Sequence, residues 1–267
     1  MNIAGKRVLL TGANGGIGQA IAHELKRQGA ELILSGRNIG PLQALADQLG
    51  GAECIVADMV SDQDLQHVIS VARHVDILVA NAGLPGTDEI TAFSVEQIDA
   101  CLDVNLRAPI VLARALMPQM LERSSGHLVF ISSVAGKVPS PLSSLYSAGK
   151  YGLRGFADCL RMDLQGTGIG VSTIYPGMIR DAGMYANSGA SVPPGAPTNT
   201  AQDVAEAVSG AILRNRASVN VTGLAIRLGI HLAHFSPALN AWIQSLAGAG
   251  RAAREFADGH RARNQTR

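Results

Sequence analysis

The chain has 267 residues, enough for one large α/β domain with a complete core. Apolar residues make up 47% and charged residues 16%, and the formal net charge of +1 leaves no field that would recruit nucleic acid or an anionic membrane. Three cysteines (Cys54, Cys101, Cys159) lie far apart without CxxC spacing, which reads as reduced, buried thiols in a cytoplasmic protein. Met1 to Lys6 lacks the apolar core of a signal peptide, and no apolar run reaches the roughly 20 residues of a spanning helix, so neither is expected.

Lys6 to Leu10 reads as a strand. It runs into Thr11-Gly12-Ala13-Asn14-Gly15-Gly16-Ile17-Gly18, after which Ile17, Ile21, Ala22 and Leu25 recur at helix spacing until Gly29. A glycine-rich turn between a strand and a helix suits a diphosphate, because backbone N–H groups can approach it at the helix N-terminus. The expected elements that follow are a strand at 31–35, a helix at 41–49, a strand at 53–57 and a helix capped by Ser61 to about 73. A strand at 75–80, a long helix at 94–122, a strand at 127–132 and a helix at 143–164 come next. A strand at 170–175, a helix at 201–215 and a strand at 218–222 complete the series. The strands are short and rich in Val, Ile and Leu, as in a parallel sheet buried on both faces. The fold expected is a doubly wound, Rossmann-like sheet of seven parallel strands, with ligands beyond the carboxyl ends of the strands.

Two stretches break the alternation. Tyr185 to Thr200, rich in Gly, Pro, Ser and Asn, suits no regular element and falls where a mobile lid would lie. From residue 224 onward the chain reads as an amphipathic helical extension packed on domain 1–223, with Trp242, Ile243 and Leu246 on one side and charges from Arg251. His231 and His234 have no carboxylate or thiol near them, so no metal site is expected.

Tyr146 and Lys150 stand four apart on the 143–164 helix and so share a face. A lysine charge there is expected to lower the phenol's pKa and make it an acid/base for a carbinol oxygen. At the end of the second strand an acid would bind the ribose 2′-OH of NAD, and an arginine the 2′-phosphate of NADP. The chain has Gly36 and then Arg37. NADP(H) is therefore the preferred cofactor expected, with NAD(H) second.

Together these pieces resemble the short-chain dehydrogenase/reductase family in its single-domain branch, over roughly residues 5 to 222. The motifs are Thr11 to Gly18, Asn81-Ala82-Gly83, Asn105, Ser132-Ser133, Tyr146 with Lys150, and Pro176-Gly177. The resemblance implies an oxidoreductase acting on ketones or secondary alcohols, with Asn105, Ser133, Tyr146 and Lys150 as the catalytic set. Tyr146 would pass the proton, Ser133 would bind the substrate oxygen, and Asn105 would hold a water linking Lys150 to solvent. Cofactor contacts implied are Gly12, Asn14, Gly16, Ile17, Gly18, Arg37, Asp58, Asn81, Ala82, Gly83, Tyr146, Lys150, Pro176, Gly177 and Ile179. Asp181 falls where relatives carry a threonine that bonds the nicotinamide carboxamide. Val134, Val138, Leu142, Leu145, Met178, Ile179 and Met184 suggest an apolar substrate. A homodimer or homotetramer is implied, although the long tail departs from the family's usual ending, which leaves it open to cover the substrate cleft, build a different dimer or lie on a membrane surface. The rival reading is a catalytically silent NADP(H)-binding regulator on the same fold.

Overall fold

A computed structural model describes residues 1–189, 197–223 and 248–265, with single positions at 226, 227, 229, 230, 238, 242 and 245. The run Ser191 to Ala196 and His231, His234, Ile243 and Leu246 lie outside the described residues.

Seven parallel strands form one sheet: β1 (Arg7–Thr11), β2 (Glu31–Gly36), β3 (Glu53–Val56), β4 (Ile77–Ala80), β5 (Gly126–Ile131), β6 (Ile169–Pro176) and β7 (Ser218–Val221). Their order is β3-β2-β1-β4-β5-β6-β7. The chain winds outward from β1 in one direction and from β4 in the other. The crevice between the carboxyl ends of β1 and β4 is thus the switch point where such sheets bind ligands. Alternate strand residues enter opposite cores. Val8, Leu10, Leu34, Val79 and Val129 pack under α1 (Gly16–Arg27), α2 (Ile39–Gln48) and α8 (Ala201–Arg214). Leu9, Ile33, Leu78, Leu128 and Phe130 pack under α3 (Asp62–Val71), α5 (Ala108–Glu122) and α6 (Ser144–Asp163). This alternation is the pleat of a strand with both faces buried.

Several expectations need correction. The helix expected at 94–122 is interrupted: α4 (Val95–Leu102) passes into a π turn, Asp103–Arg107, before α5. Asn105 accounts for the break. Its Nδ2 takes the Cys101 carbonyl at 2.9 Å, the acceptor that its own backbone N–H would have in a regular helix. The stretch 185–200 is not wholly irregular, because α7 (Gly183–Ser188) lies in it. So short a helix gains its stability from packing, here against α9 (Ala249–Gln265), which takes up the end of the tail. Of the three thiols only Cys101 is buried; Cys54 is half-buried and Cys159 exposed. No helix among the described residues is long and apolar enough to cross a membrane.

Glu24 ties α1 to α8. It is buried, accepts two hydrogen bonds from Arg27 at 2.8 and 2.9 Å, and accepts another from Ser209 Oγ at 2.9 Å. The hydrogen bonds to Arg27 hold its carboxyl below the usual range against the opposing effect of burial. Across β5 and β6, His127 Nε2 lies 2.8 Å from Ser172 Oγ with both side chains buried. Desolvation pushes the imidazole down from 6.5 to about 3. The unfolded chain therefore binds a proton near pH 6.5 that the folded chain refuses until far lower pH. Stability should fall as pH drops below 6.5, by about 1.4 kcal/mol per pH unit through this residue. Urea unfolding of the wild type and His127→Val at pH 7.5 and 5.5 tests this. The wild type should lose more stability than the variant, and equal losses would remove His127 from the account.

Candidate active site

The site is built where β1, β4, β5 and β6 end. Thr11 closes β1, and its Oγ1 accepts the backbone N–H groups of Asn81 and Ala82, each at 3.1 Å. Asn81 answers with Nδ2, which donates to the carbonyls of Thr11 at 3.0 Å and Gly12 at 3.1 Å. Gly12 has φ +63°, and a Cβ there would come within 2.8 Å of Ala82 Cα, so only glycine suits the position. A Cβ on Gly18 would collide with the Gly12 carbonyl. The turn is thereby held tight at the N-terminus of α1, whose first N–H groups face the crevice without side-chain capping at Gly15.

Gly36 ends β2, buried under Asn14, whose Oδ1 would stand 2.5 Å from a Cβ at that position. Arg37 follows, exposed and without a hydrogen-bond or ion-pair partner among the described residues. Asp58 follows β3. It turns one carboxylate oxygen onto Val60 N at 3.2 Å, and its own N–H bonds Asp64 Oδ2 at 2.8 Å. Pro176 and Gly177 close β6: Ser133 Oγ lies 3.5 Å from the Pro176 carbonyl, and Gly177 packs against Thr222. Ile179 is buried in the α1/α8 core and paired with Asn199, so only its backbone can meet a ligand.

Asn105 and Lys150 meet at Gly83, Lys150 lies beside Tyr146, and Tyr146 meets Ser133. The Ser133 hydroxyl hydrogen-bonds Tyr146, and Ser133 also accepts from Ala135 N at 3.1 Å. Lys150 is buried, donates from Nζ to the Ile131 carbonyl at 3.0 Å, and lies 5.6 Å from the centre of the Tyr146 ring. A Cβ on Gly83 would stand 3.1 Å from Asn105 Oδ1 and 3.7 Å from Lys150 Nζ. Asn105 is fully buried; its Oδ1 accepts from Leu84 N at 3.3 Å, and its Nδ2 donates to Leu84 O at 2.8 Å as well as to Cys101. Its side chain is thus an anchor for the loop after β4. The expected lowering of Tyr146 by Lys150 is not what the site does. Burial pushes the phenol up to about 12, against the smaller opposing pull of the Ser133 hydrogen bond. Burial likewise brings Lys150 down to about 8. Desolvation sets the phenol's position because taking the phenolate out of water costs more than the Ser133 hydrogen bond returns. At neutral pH the arrangement presents a protonated phenol beside a hydroxyl, a pair able to donate hydrogen bonds to a carbonyl oxygen.

A family model described as short chain dehydrogenase matches residues 6–192. The chain belongs to the short-chain dehydrogenase/reductase family. An uncharacterized oxidoreductase of Staphylococcus aureus is 34% identical over 228 residues, covering 83% of this chain and 96% of the relative. Among solved structures, a short-chain dehydrogenase from Sphingobium yanoikuyae in complex with NADPH superposes with a TM-score of 0.76 at 27% identity, over 91% of this chain and 95% of that one. The bulky-bulky ketone specific alcohol dehydrogenase from Comamonas testosteroni superposes with a TM-score of 0.73 at 25% identity, over 80% and 85%. The chain is a short-chain oxidoreductase.

In this family member Asp181 does not turn toward the cleft. Its Oδ1 accepts from Ala201 N at 2.9 Å, at the start of α8, where an unsatisfied helix N–H attracts a carboxylate. Gly86 escaped the sequence reading. Its carbonyl accepts from Tyr146 N at 3.1 Å, and a Cβ on it would come within 2.8 Å of Cys101 Sγ. Pro85-Gly86 was the only local signal, an ordinary turn pair. Titration of the lysine Nζ resonances by NMR should show Lys150 near pH 8. Lys137→Met separates it from Lys137, also lowered to about 8 by burial. A Lys150 resonance titrating at its ordinary value would contradict the desolvated site.

Proposed function

We propose that this oxidoreductase reduces ketones to secondary alcohols with NADPH, and runs the reverse reaction with NADP+. The observation that carries the reading is the meeting of Ser133, a protonated Tyr146 and Lys150 beside the glycine turn of the same crevice. The chain's residues fit the cofactor. Gly12, Gly16, Ile17 and Gly18 offer close backbone and helix N–H groups to a diphosphate. Gly36 leaves no acid at the ribose, and Arg37 has its guanidinium unengaged for a 2′-phosphate. Asn14, Asp58, Asn81, Ala82 and Gly83 flank the nucleoside, and Pro176, Gly177 and the backbone of Ile179 border the nicotinamide end. The solved Sphingobium relative, in complex with NADPH, supports the same choice.

NADP(H), when bound, supplies or accepts the hydride. The protein's own residues handle the rest. Ser133 Oγ and the Tyr146 hydroxyl donate to the carbonyl oxygen, and Tyr146 gives up its proton as that oxygen becomes an alcohol. A phenol held near 12 keeps its proton at neutral pH and so stands ready to protonate the alkoxide as it forms. Lys150, exchanging near pH 8, restores the phenol's proton and binds the nicotinamide ribose hydroxyls. Asn105 holds the kinked helix beside Lys150 and seats the water that links it to solvent. An apolar substrate suits the site: Val134, Val138, Leu142, Met178 and Met184 are half-buried, with Met184 Cε beside Gly83, while Leu145 and Ile179 are buried in packing.

Tyr146→Phe should lower ketone turnover about 100- to 10,000-fold and leave NADPH affinity nearly intact. Wild-type turnover in that variant would remove Tyr146 from the chemistry. Arg37→Ala should weaken NADPH binding at least about tenfold, the worth of a charge-assisted hydrogen bond, and leave NADH binding unchanged. Fluorescence titration with both nucleotides reads this directly, and a parallel loss for both would refute the 2′-phosphate assignment.

A further inference from the structure

The segment after β6 leaves the sheet on a pinned stem. Ile179 and Asn199 pair, Arg180 N donates to Asn199 O at 3.0 Å, and Asn199 N donates to Met178 O at 3.0 Å. Beyond the stem the chain lies across the crevice. Ala182 Cβ stands 2.6 Å from where a Cβ on Gly16 would be, and Ile17 Cδ1 stands 2.9 Å from the equivalent point on Gly183. Met184 Cε reaches 3.2 Å from the same point on Gly83 that neighbours Lys150 Nζ. Ala182 and the start of α7 therefore lie on Gly16 and Ile17 of the glycine turn, and Met184 fills the space beside Lys150. Gly183, with φ +77°, is the joint between stem and helix.

The outer side of α7 is held by α9. Tyr185 stacks on Phe256 with ring centres 5.9 Å apart, and Phe256 meets His260 edge-on at 4.6 Å. Gly259 touches the Ser188 carbonyl so closely that any Cβ there would collide. Arg261 then forks onto Asp88, with Nε 2.6 Å from Oδ2 and a second N–H on Oδ1. Asp88 is nearly buried and sits in the loop after β4, the loop whose Gly86 carbonyl receives Tyr146 N. One helix thus joins the cover of the crevice to its opposite wall.

We propose that α9 is a strap that holds α7 down over the crevice, with Met184 as the plug, and that nucleotide enters only when strap and α7 lift together. This rests on the reading of the crevice as the NADP(H) site. The Arg261–Asp88 pair is the latch, and Phe256 on Tyr185 is the grip. Binding energy of the nucleotide must then offset the lost contacts, so its apparent affinity is reduced by the fraction of protein that is open.

Stopped-flow fluorescence with NADPH and the full-length protein tests the strap. In the wild type the observed binding rate should level off at high NADPH, at the rate of lifting. Arg261→Gln and Met184→Ala should each raise affinity and association rate about fivefold, the scale of a partly exposed ion pair or a small population shift. Asp88→Asn cuts the same pair from the other side, and circular dichroism checks that each variant is folded. Wild-type rates and affinity in folded Arg261→Gln and Asp88→Asn would overturn the strap while leaving the cofactor reading intact. Failure of every protein to bind either NADPH or NADH would overturn the cofactor reading and the strap with it.

Discussion

The tie between Thr11 and Asn81 across the switch point is the constraint on which the site depends. Four hydrogen bonds join two strand ends that are 70 residues apart in sequence. On one side of that tie the glycine turn is held so close that Gly12 meets Ala82. On the other, Ala82 leads to Gly83, whose open face admits both Asn105 and Lys150. The glycine turn and the meeting of Asn105 with Lys150 are therefore positioned by a single seam of the sheet. A shift there would move both together, which is why a buried hydroxyl with its acceptor sites filled stands at Thr11 where a strand interior would otherwise favour an apolar side chain.

Around that seam the protein sets its titratable groups by desolvation. Tyr146 and Lys150 are driven in opposite directions on the pH scale, both toward their neutral forms. The phenol keeps its proton, and the amine holds its own less tightly than an ordinary lysine. The resting protonation of the pair is thus set by burial more than by the spacing of the two residues. The same physics operates at His127, which no motif marks and which stays neutral in the core.

The sheet was legible in the sequence because each strand is a short Val/Ile/Leu run bounded by turn residues, and every such run became a strand of one parallel sheet. Ser61 showed itself as a cap, and its Oγ does accept Asp64 N at 3.2 Å. The convergence of Ser133, Tyr146, Lys150 and Asn105 was legible only through the order of motifs, since no local pattern says that residues 105 and 150 meet. What stayed hidden depends on contacts between distant segments. The π turn comes from one amide competing for a carbonyl within a helix whose hydrophobic period reads unbroken. α7 is too short to declare itself and is helical against α9. Asp88 and Arg261 are 173 residues apart, each an ordinary surface charge when read alone.

Asp181 shows how one departure from the family pattern can redirect a whole segment. A threonine there would have a neutral hydroxyl, able to donate as well as accept. A carboxylate only accepts, and the nearest strong set of unsatisfied donors is the start of α8, where Thr200 and Asp203 already form a capping box and Ala201 N is left over. With residue 181 drawn outward to α8, the chain must turn sharply to come back, and Gly183 supplies that turn. Ala182 and Met184 are then carried inward, onto Gly16 and toward Gly83. Asp181 is thus an anchor of this segment on α8, and Met184 occupies the space beside Gly83.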